Sequence, residues 1–125
     1  VVLVVSGHAT SRTATIGDIM AADLKAHGVV GLVTDGLVRD ASEIRALGFP
    51  VWCRGTTPTA PNKLSPGRVG GSVDIGGALV RDGDIVIADD DGVVVWPHEE
   101  VAELLAKADA RRKSDQERLA KIRAR

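Results

Sequence analysis

The chain has no tyrosine, one cysteine and one methionine, and its aromatic side chains are limited to Phe49, Trp52 and Trp96. So few rings cannot build the stacking platform that single-stranded nucleic acid uses, so a nucleic-acid partner is not expected. With Cys53 alone there is no internal disulfide, which points to a reducing compartment, the cytoplasm. No apolar run approaches the ~20 residues that cross a bilayer, and no secretory signal pattern is present, so no membrane partner is expected. His8, His27 and His98 show no metal-ligand spacing among them, and Ser6-Gly7-His8 does not resemble a nucleophile elbow. Internal repeats, low-complexity segments and linkers are also missing.

What is present is a core. Hydrophobic residues make up 44% of 125 residues and charged residues 26%, which suits one packed domain over residues 1–125. Glycine is abundant at 14, so valine- and isoleucine-rich strands cornered by glycine turns are the natural reading. The net charge of −1 hides an asymmetry: residues 1–106 carry 8 basic and 14 acidic side chains, whereas residues 107–125 carry 8 basic and 3 acidic ones. The tail is therefore a cationic helix on an acidic body. Solvation or packing on another subunit is a better use for it than RNA binding.

Val1 to Val5 is a continuous apolar run suited to a strand buried on both faces. Residues 6–15 are small and polar and read as a loop. A helix is predicted over 16–27, with Ile16, Ile19, Met20, Ala21 and Leu24 as its apolar stripe and His27-Gly28 as its stop. A second strand covers 29–34, Asp35-Gly36 turns it, and a short helix covers 41–47. Asp40 can cap that helix, with Glu43 completing a capping box. A third strand, 50–53, completes a parallel β-α-β-α-β half, with Cys53 at its end read as core. After a loop over 54–68 come short strands at 72–75, 78–80, 85–88 and 93–96. Gly76-Gly77, Asp82-Gly83 and Asp91-Gly92 separate them, and these pairs are hairpin signals. Pro97 opens a helix over 98–122 whose second half is almost wholly polar. The expected class is α/β: a parallel half, antiparallel hairpins and a long C-terminal helix in β/β/α layers.

Three features follow parallel strands, where open sheets place ligands. Gly17-Asp18 opens a helix whose first N–H groups can bind a carboxylate or enolate oxygen. Arg39 can grip a carboxylate with two hydrogen bonds. Asp40 is a hard oxygen ligand suited to magnesium or manganese. Each also has a plain structural use: Asp40 as a cap, Arg39 as an ion-pair partner of Asp35 or Glu43, Gly17-Asp18 as an ordinary acidic helix start. Asp89-Asp90-Asp91-Gly92 lacks the ligand spacing of an EF-hand and reads as a turn. Lys25 and Lys63, the lysines of the body, have no context suggesting a Schiff base.

The order of motifs resembles the RraA-like superfamily. The resemblance rests on Gly17-Asp18-Ile19-Met20-Ala21, on the run from Gly28 through Thr34-Asp35-Gly36-Leu37-Val38-Arg39-Asp40, and on Gly48-Phe49-Pro50-Val51. It continues in Val73-Asp74-Ile75-Gly76-Gly77, Asp82-Gly83-Asp84 and Ala88-Asp89-Asp90-Asp91-Gly92-Val93. That superfamily contains 4-hydroxy-4-methyl-2-oxoglutarate/4-carboxy-4-hydroxy-2-oxoadipate aldolases and the regulator of ribonuclease E activity. The resemblance implies a swivelling β/β/α domain, assembled as homotrimers or homohexamers with sites between subunits. It implies a class II pyruvate aldolase needing Mg2+ or Mn2+, acting on a small 2-oxo acid, with oxaloacetate decarboxylase side activity. Arg39 would bind substrate and Asp40 the metal. Gly17, Asp18, Ile19 and Met20 would meet the pyruvate unit through backbone amides, and the Asp18 side chain would manage a proton-transferring water. Asp115 or Glu117 on the C-terminal helix of a neighbouring subunit would approach the site. Regulators differ at the Asp40 position, so the Arg39-Asp40 pair favours the enzyme over a non-catalytic ribonuclease regulator. Two departures stand out: Ser6 sits where the family's first strand usually ends in Asp, and the family's N-terminal segment is expected to be missing from a chain that opens in a strand at Val1.

Overall fold

In a computed structural model that describes residues 1–62 and 66–125, the chain forms a mixed α/β fold of parallel and antiparallel sheets with a C-terminal helix. Strands β1 (Val2–Val5) and β2 (Ala14–Ile16) lead into α1 (Asp18–Ala26). Strands β3 (Gly31–Thr34) and β4 (Leu37–Val38) lead into α2 (Ala41–Ala46), and β5 (Val51–Trp52) and β6 (Gly55–Thr56) follow. The chain thus alternates between two three-stranded parallel sheets, ordered β1-β3-β5 and β2-β4-β6. The first sheet was expected. The second was not, because β2, β4 and β6 are two or three residues long and fall in loops and turns or, for Ile16, at the expected start of the 16–27 helix, which begins instead at Asp18. Strands so short carry no periodicity to detect.

Arg54 secures the corners between the sheets. Its Nη2 donates to the Ser11 carbonyl at 2.7 Å and its Nε to the Asp35 carbonyl at 3.2 Å, while its N–H donates to Gly36 O at 3.0 Å. At the same corners the Asp35 carboxylate accepts the Gly7 N–H at 2.7 Å. Cys53 lies exposed here rather than in the core, because β5 ends one residue earlier than expected.

The buried cluster is Ile16, Ala21, Leu32, Val38, Ile44 and Phe49, with Leu3, Val5, Leu24, Val29, Leu47 and Val51 packed around it. It draws on both parallel sheets and both short helices, so the two strand-to-helix corners rest on one core. Of the apolar stripe expected on α1, Ala21 is buried, but Ile19 is 80% and Met20 49% exposed. Both sit in the first turn, beyond the edge of the core.

The second half forms two hairpins. Strands β7 (Ser72–Ile75) and β8 (Ala78–Arg81) pair around Gly76-Gly77, both at positive φ, where glycine has no Cβ clash. Strands β9 (Ile85–Asp89) and β10 (Gly92–Trp96) pair around Asp90-Asp91. Asp82-Gly83 does not close a hairpin as its type suggests; β8 and β9 lie in different sheets. There Asp84 accepts the Arg81 N–H at 2.9 Å and Asp82 accepts the Gly71 N–H at 2.9 Å, so the turn is tied to β8 and to the segment before β7. A 3-10 turn (His98–Glu100) precedes α3 (Val101–Arg123), which has no buried residue. No helix among the described residues is long and apolar enough to cross a membrane. Lys63 and part of the expected 54–68 loop lie outside the described residues.

Candidate active site at the carboxyl ends of two parallel strands

Strands β2 and β4 are parallel neighbours, and each runs straight into a helix. Gly17 stands between Ile16 and α1; Arg39 and Asp40 stand between Val38 and α2. The ladder continues one step past the strands through Arg39 N–H to Ile16 O at 2.9 Å. This pairing brings Gly17-Asp18 and Arg39-Asp40, more than 20 residues apart in sequence, to one corner. The carboxyl ends of adjacent parallel strands are where such sheets bind ligands.

Asp40 occupies the cap position of α2 but does not cap it. Its backbone is left-handed (φ 59°, ψ 45°), and its side chain makes no hydrogen bond to its own helix. Glu43 completes no capping box; it accepts instead from Ser42 Oγ at 3.1 Å. The Asp40 carboxylate reaches across to α1, where Oδ2 accepts the Asp18 N–H at 3.3 Å. The same oxygen pairs with Arg39 Nε at 3.2 Å. Arg39 therefore pairs with Asp40, and with neither Asp35 nor Glu43. Left-handed backbone is uncommon outside glycine, although aspartate and asparagine tolerate it better than other residues, and such positions concentrate at functional sites. Here the unusual backbone turns the carboxylate away from α2 and toward the N-terminus of α1, where the helix dipole favours negative charge.

Gly17 completes the geometry. Its own backbone is extended (φ −126°), so conformational freedom does not explain it. Space does: a Cβ there would lie 2.7 Å from Asp40 Oδ2 and 3.3 Å from Arg39 Nε. The absent side chain forms a cradle that admits both charged groups. Asp18 turns its Oδ1 back onto the Ile19 N–H at 2.8 Å. Arg39 and Asp40 are partly open to solvent, with 38% and 30% of their side-chain surface exposed. The sequence did not reveal the third corner, at the end of β6. There Thr57 N–H donates to Val38 O at 2.9 Å, placing Thr56-Thr57 beside the same site.

The corner offers one carboxylate oxygen that could hold a magnesium-type ion. The hydrogen bonds of Asp40 fall on Oδ2, leaving Oδ1 as a hard oxygen donor. Among the described residues no group of three or more His, Cys, Asp or Glu side chains converges. Magnesium tolerates this: it commonly takes one or two protein carboxylates and fills its shell with water and substrate oxygens. Asp115 and Glu117 are not brought to this corner within the chain. Asp115 instead pairs with Arg111 at 3.1 Å along α3.

The sequence model of the family described as RraA-like, Aldolase/RraA, matches residues 1–95. The chain belongs to the RraA-like family. It is 35% identical over 94% of its length to a protein of Halalkalibacterium halodurans named "Putative 4-hydroxy-4-methyl-2-oxoglutarate aldolase", and 37% identical over its full length to an uncharacterized protein of Methanocaldococcus jannaschii. It spans 56% and 58% of those two proteins, little more than half their length. Among solved structures, Streptomyces coelicolor RraAS2, described as an unusual member of the RNase ES inhibitor RraA family, superposes with a TM-score of 0.84 at 38% identity. That match covers 94% of this chain and 61% of the other. The RraA-like family thus joins an aldolase-named relative and RraA inhibitors on one fold.

Proposed function

We propose that this chain carries the site of a divalent-metal-dependent class II pyruvate aldolase, which cleaves a 4-hydroxy-2-oxo acid and releases pyruvate. The observation that supports this most is the Asp40 carboxylate. It is held by a left-handed backbone, away from the helix it precedes and against Arg39 and the start of α1. A carboxylate serving only as a cap would not stand so.

In this reading Asp40 holds Mg2+ or Mn2+, which supplies Lewis-acid polarisation of the substrate's 2-oxo group. Arg39, whose Nε is engaged by Asp40, has its terminal Nη groups to receive the substrate carboxylate. First-turn amides of α1 face developing negative charge with the positive end of a helix. A water held by Asp18 takes the proton of the C4 hydroxyl, C4 becomes the carbonyl of the departing product, and the C3–C4 bond breaks. Its electron pair becomes the enolate of pyruvate, and the same water returns a proton to C3. Loss of CO2 from oxaloacetate leaves the same enolate, so decarboxylation accompanies the aldolase activity. Residues 1–125 act as one RraA-like domain in a cytoplasmic homotrimer or homohexamer. There α3 packs on a second copy and offers Asp115 or Glu117 to its site.

The test is pyruvate release from 4-hydroxy-2-oxo acids with magnesium, in the presence and absence of EDTA. Equal rates with the chelator sink the metal mechanism. The likeness to RraAS2 supports a second reading, a non-catalytic ribonuclease regulator. It predicts tight binding to a ribonuclease and no metal-dependent lyase activity.

A further inference from the structure

Two of the groups facing an incoming carboxylate, the Asp18 N–H and Arg39 Nε, already hold one, and only the Nη groups of Arg39 do not. The Asp18 N–H and the Arg39 guanidinium both bind Asp40 Oδ2, at 3.3 and 3.2 Å. The same oxygen sits over Gly17, where even a methyl group would not fit beside it. A carboxylate arriving from solution must therefore displace that of Asp40 or bind around it, against its charge.

We propose that the Asp40 carboxylate is a built-in competitor for the substrate carboxylate, so that the divalent cation must bind before the 2-oxo acid. The inference rests on the pyruvate-aldolase reading of this corner. A cation that draws the carboxylate toward itself frees the Asp18 N–H and loosens the hold on Arg39 Nε, opening an anion hole between them. The same charge that repelled the substrate is then neutralised. One residue both recruits the metal and blocks unproductive binding without it.

The experiment is calorimetric titration of pyruvate into the wild-type chain and into Asp40→Gly, each with EDTA and with magnesium. Glycine accepts the left-handed backbone, so the variant is expected to fold, and Asp40→Asn serves as a second variant that keeps the side-chain shape. With EDTA, Asp40→Gly should bind pyruvate about fivefold more tightly than wild type, the size of effect an ion pair at this exposure can exert. Asp40→Asn should fall between them, and magnesium should tighten only the wild type. Adding Arg39→Gln to Asp40→Gly should erase the gain. Pyruvate binding in EDTA that is unchanged or weaker in both Asp40 variants overturns the competitor role. This outcome is separable from the function: wild type that turns over while the variants gain no affinity refutes the competition alone. Variants that gain affinity while wild type shows no metal-dependent turnover refute the aldolase reading alone.

Discussion

Replacing Asp40 by glycine, asparagine and alanine separates what its backbone costs from what its carboxylate does. Glycine adopts the left-handed backbone freely, a gain of at most about 1 kcal/mol over aspartate, but adds unfolded-state entropy worth roughly 0.5–1 kcal/mol. The lost carboxylate gives up its bond to the Asp18 N–H, which is long at 3.3 Å, and its interaction with the α1 terminus, about 0.3–1 kcal/mol. The ion pair with Arg39 adds under about 1 kcal/mol, since both side chains are roughly a third exposed and screened. The losses outweigh the gain, so Asp40→Gly should unfold up to about 2 kcal/mol below wild type, a melting shift of roughly 10 °C or less. Asparagine tolerates the left-handed region and should behave alike. Alanine adds left-handed strain, having no local polar group to ease it, and should lose about 1–2 kcal/mol. Metal-dependent pyruvate release should fall at least about a hundredfold in all three. Thermal melting set beside a coupled pyruvate assay reads both effects. An Asp40→Gly variant that keeps wild-type turnover refutes the assignment. An Asp40→Ala variant that loses stability but not turnover would show that the residue is structural after all.

Gly17→Ala should cut turnover about tenfold or more with little change in melting temperature, because its Cβ displaces the flexible ends of Asp40 and Arg39 rather than backbone. Gly28→Ala should do the reverse: its φ of +83° strains any side chain, costing about 1 kcal/mol in denaturant titrations, while kinetics stay intact. Arg39→Lys should raise KM for the 2-oxo acid about tenfold, since an ammonium cannot hold Asp40 and grip a carboxylate in parallel. Leu32→Ala, at a fully buried site beneath both corners, should cost roughly 3–5 kcal/mol by urea unfolding. An equal loss in Gly17→Ala and Gly28→Ala by both readouts would mean that the Gly17 cradle has no special relation to the site.

The β1-β3-β5 sheet and its two helices were legible in the sequence because their apolar runs and stops are local. The β2-β4-β6 sheet was not, although it is the sheet that builds the site. Its strands, Ala14–Ile16, Leu37–Val38 and Gly55–Thr56, are too short for period-2 alternation to exceed chance. They exist because β1, β3 and β5 already lie parallel: each corner delivers its next few residues beside those of the neighbouring corner, and pairing follows. Asp40 shows the same limit at a single residue. Capping chemistry favours aspartate before a helix, and the position was read correctly, yet the side chain serves a different helix. Local propensity ranks the bonds a residue can make within its own segment. It cannot weigh a partner delivered by a strand pairing that does not yet exist. Hence Arg39-Asp40 was recognisable as a pair from motif order, whereas its engagement with the Asp18 N–H and its close approach over Gly17 emerged only with the second sheet. A site assembled at strand ends is readable in sequence as residue types, and in structure as an arrangement. The arrangement makes the sharper claim, because Asp40 can then be tested against its own backbone.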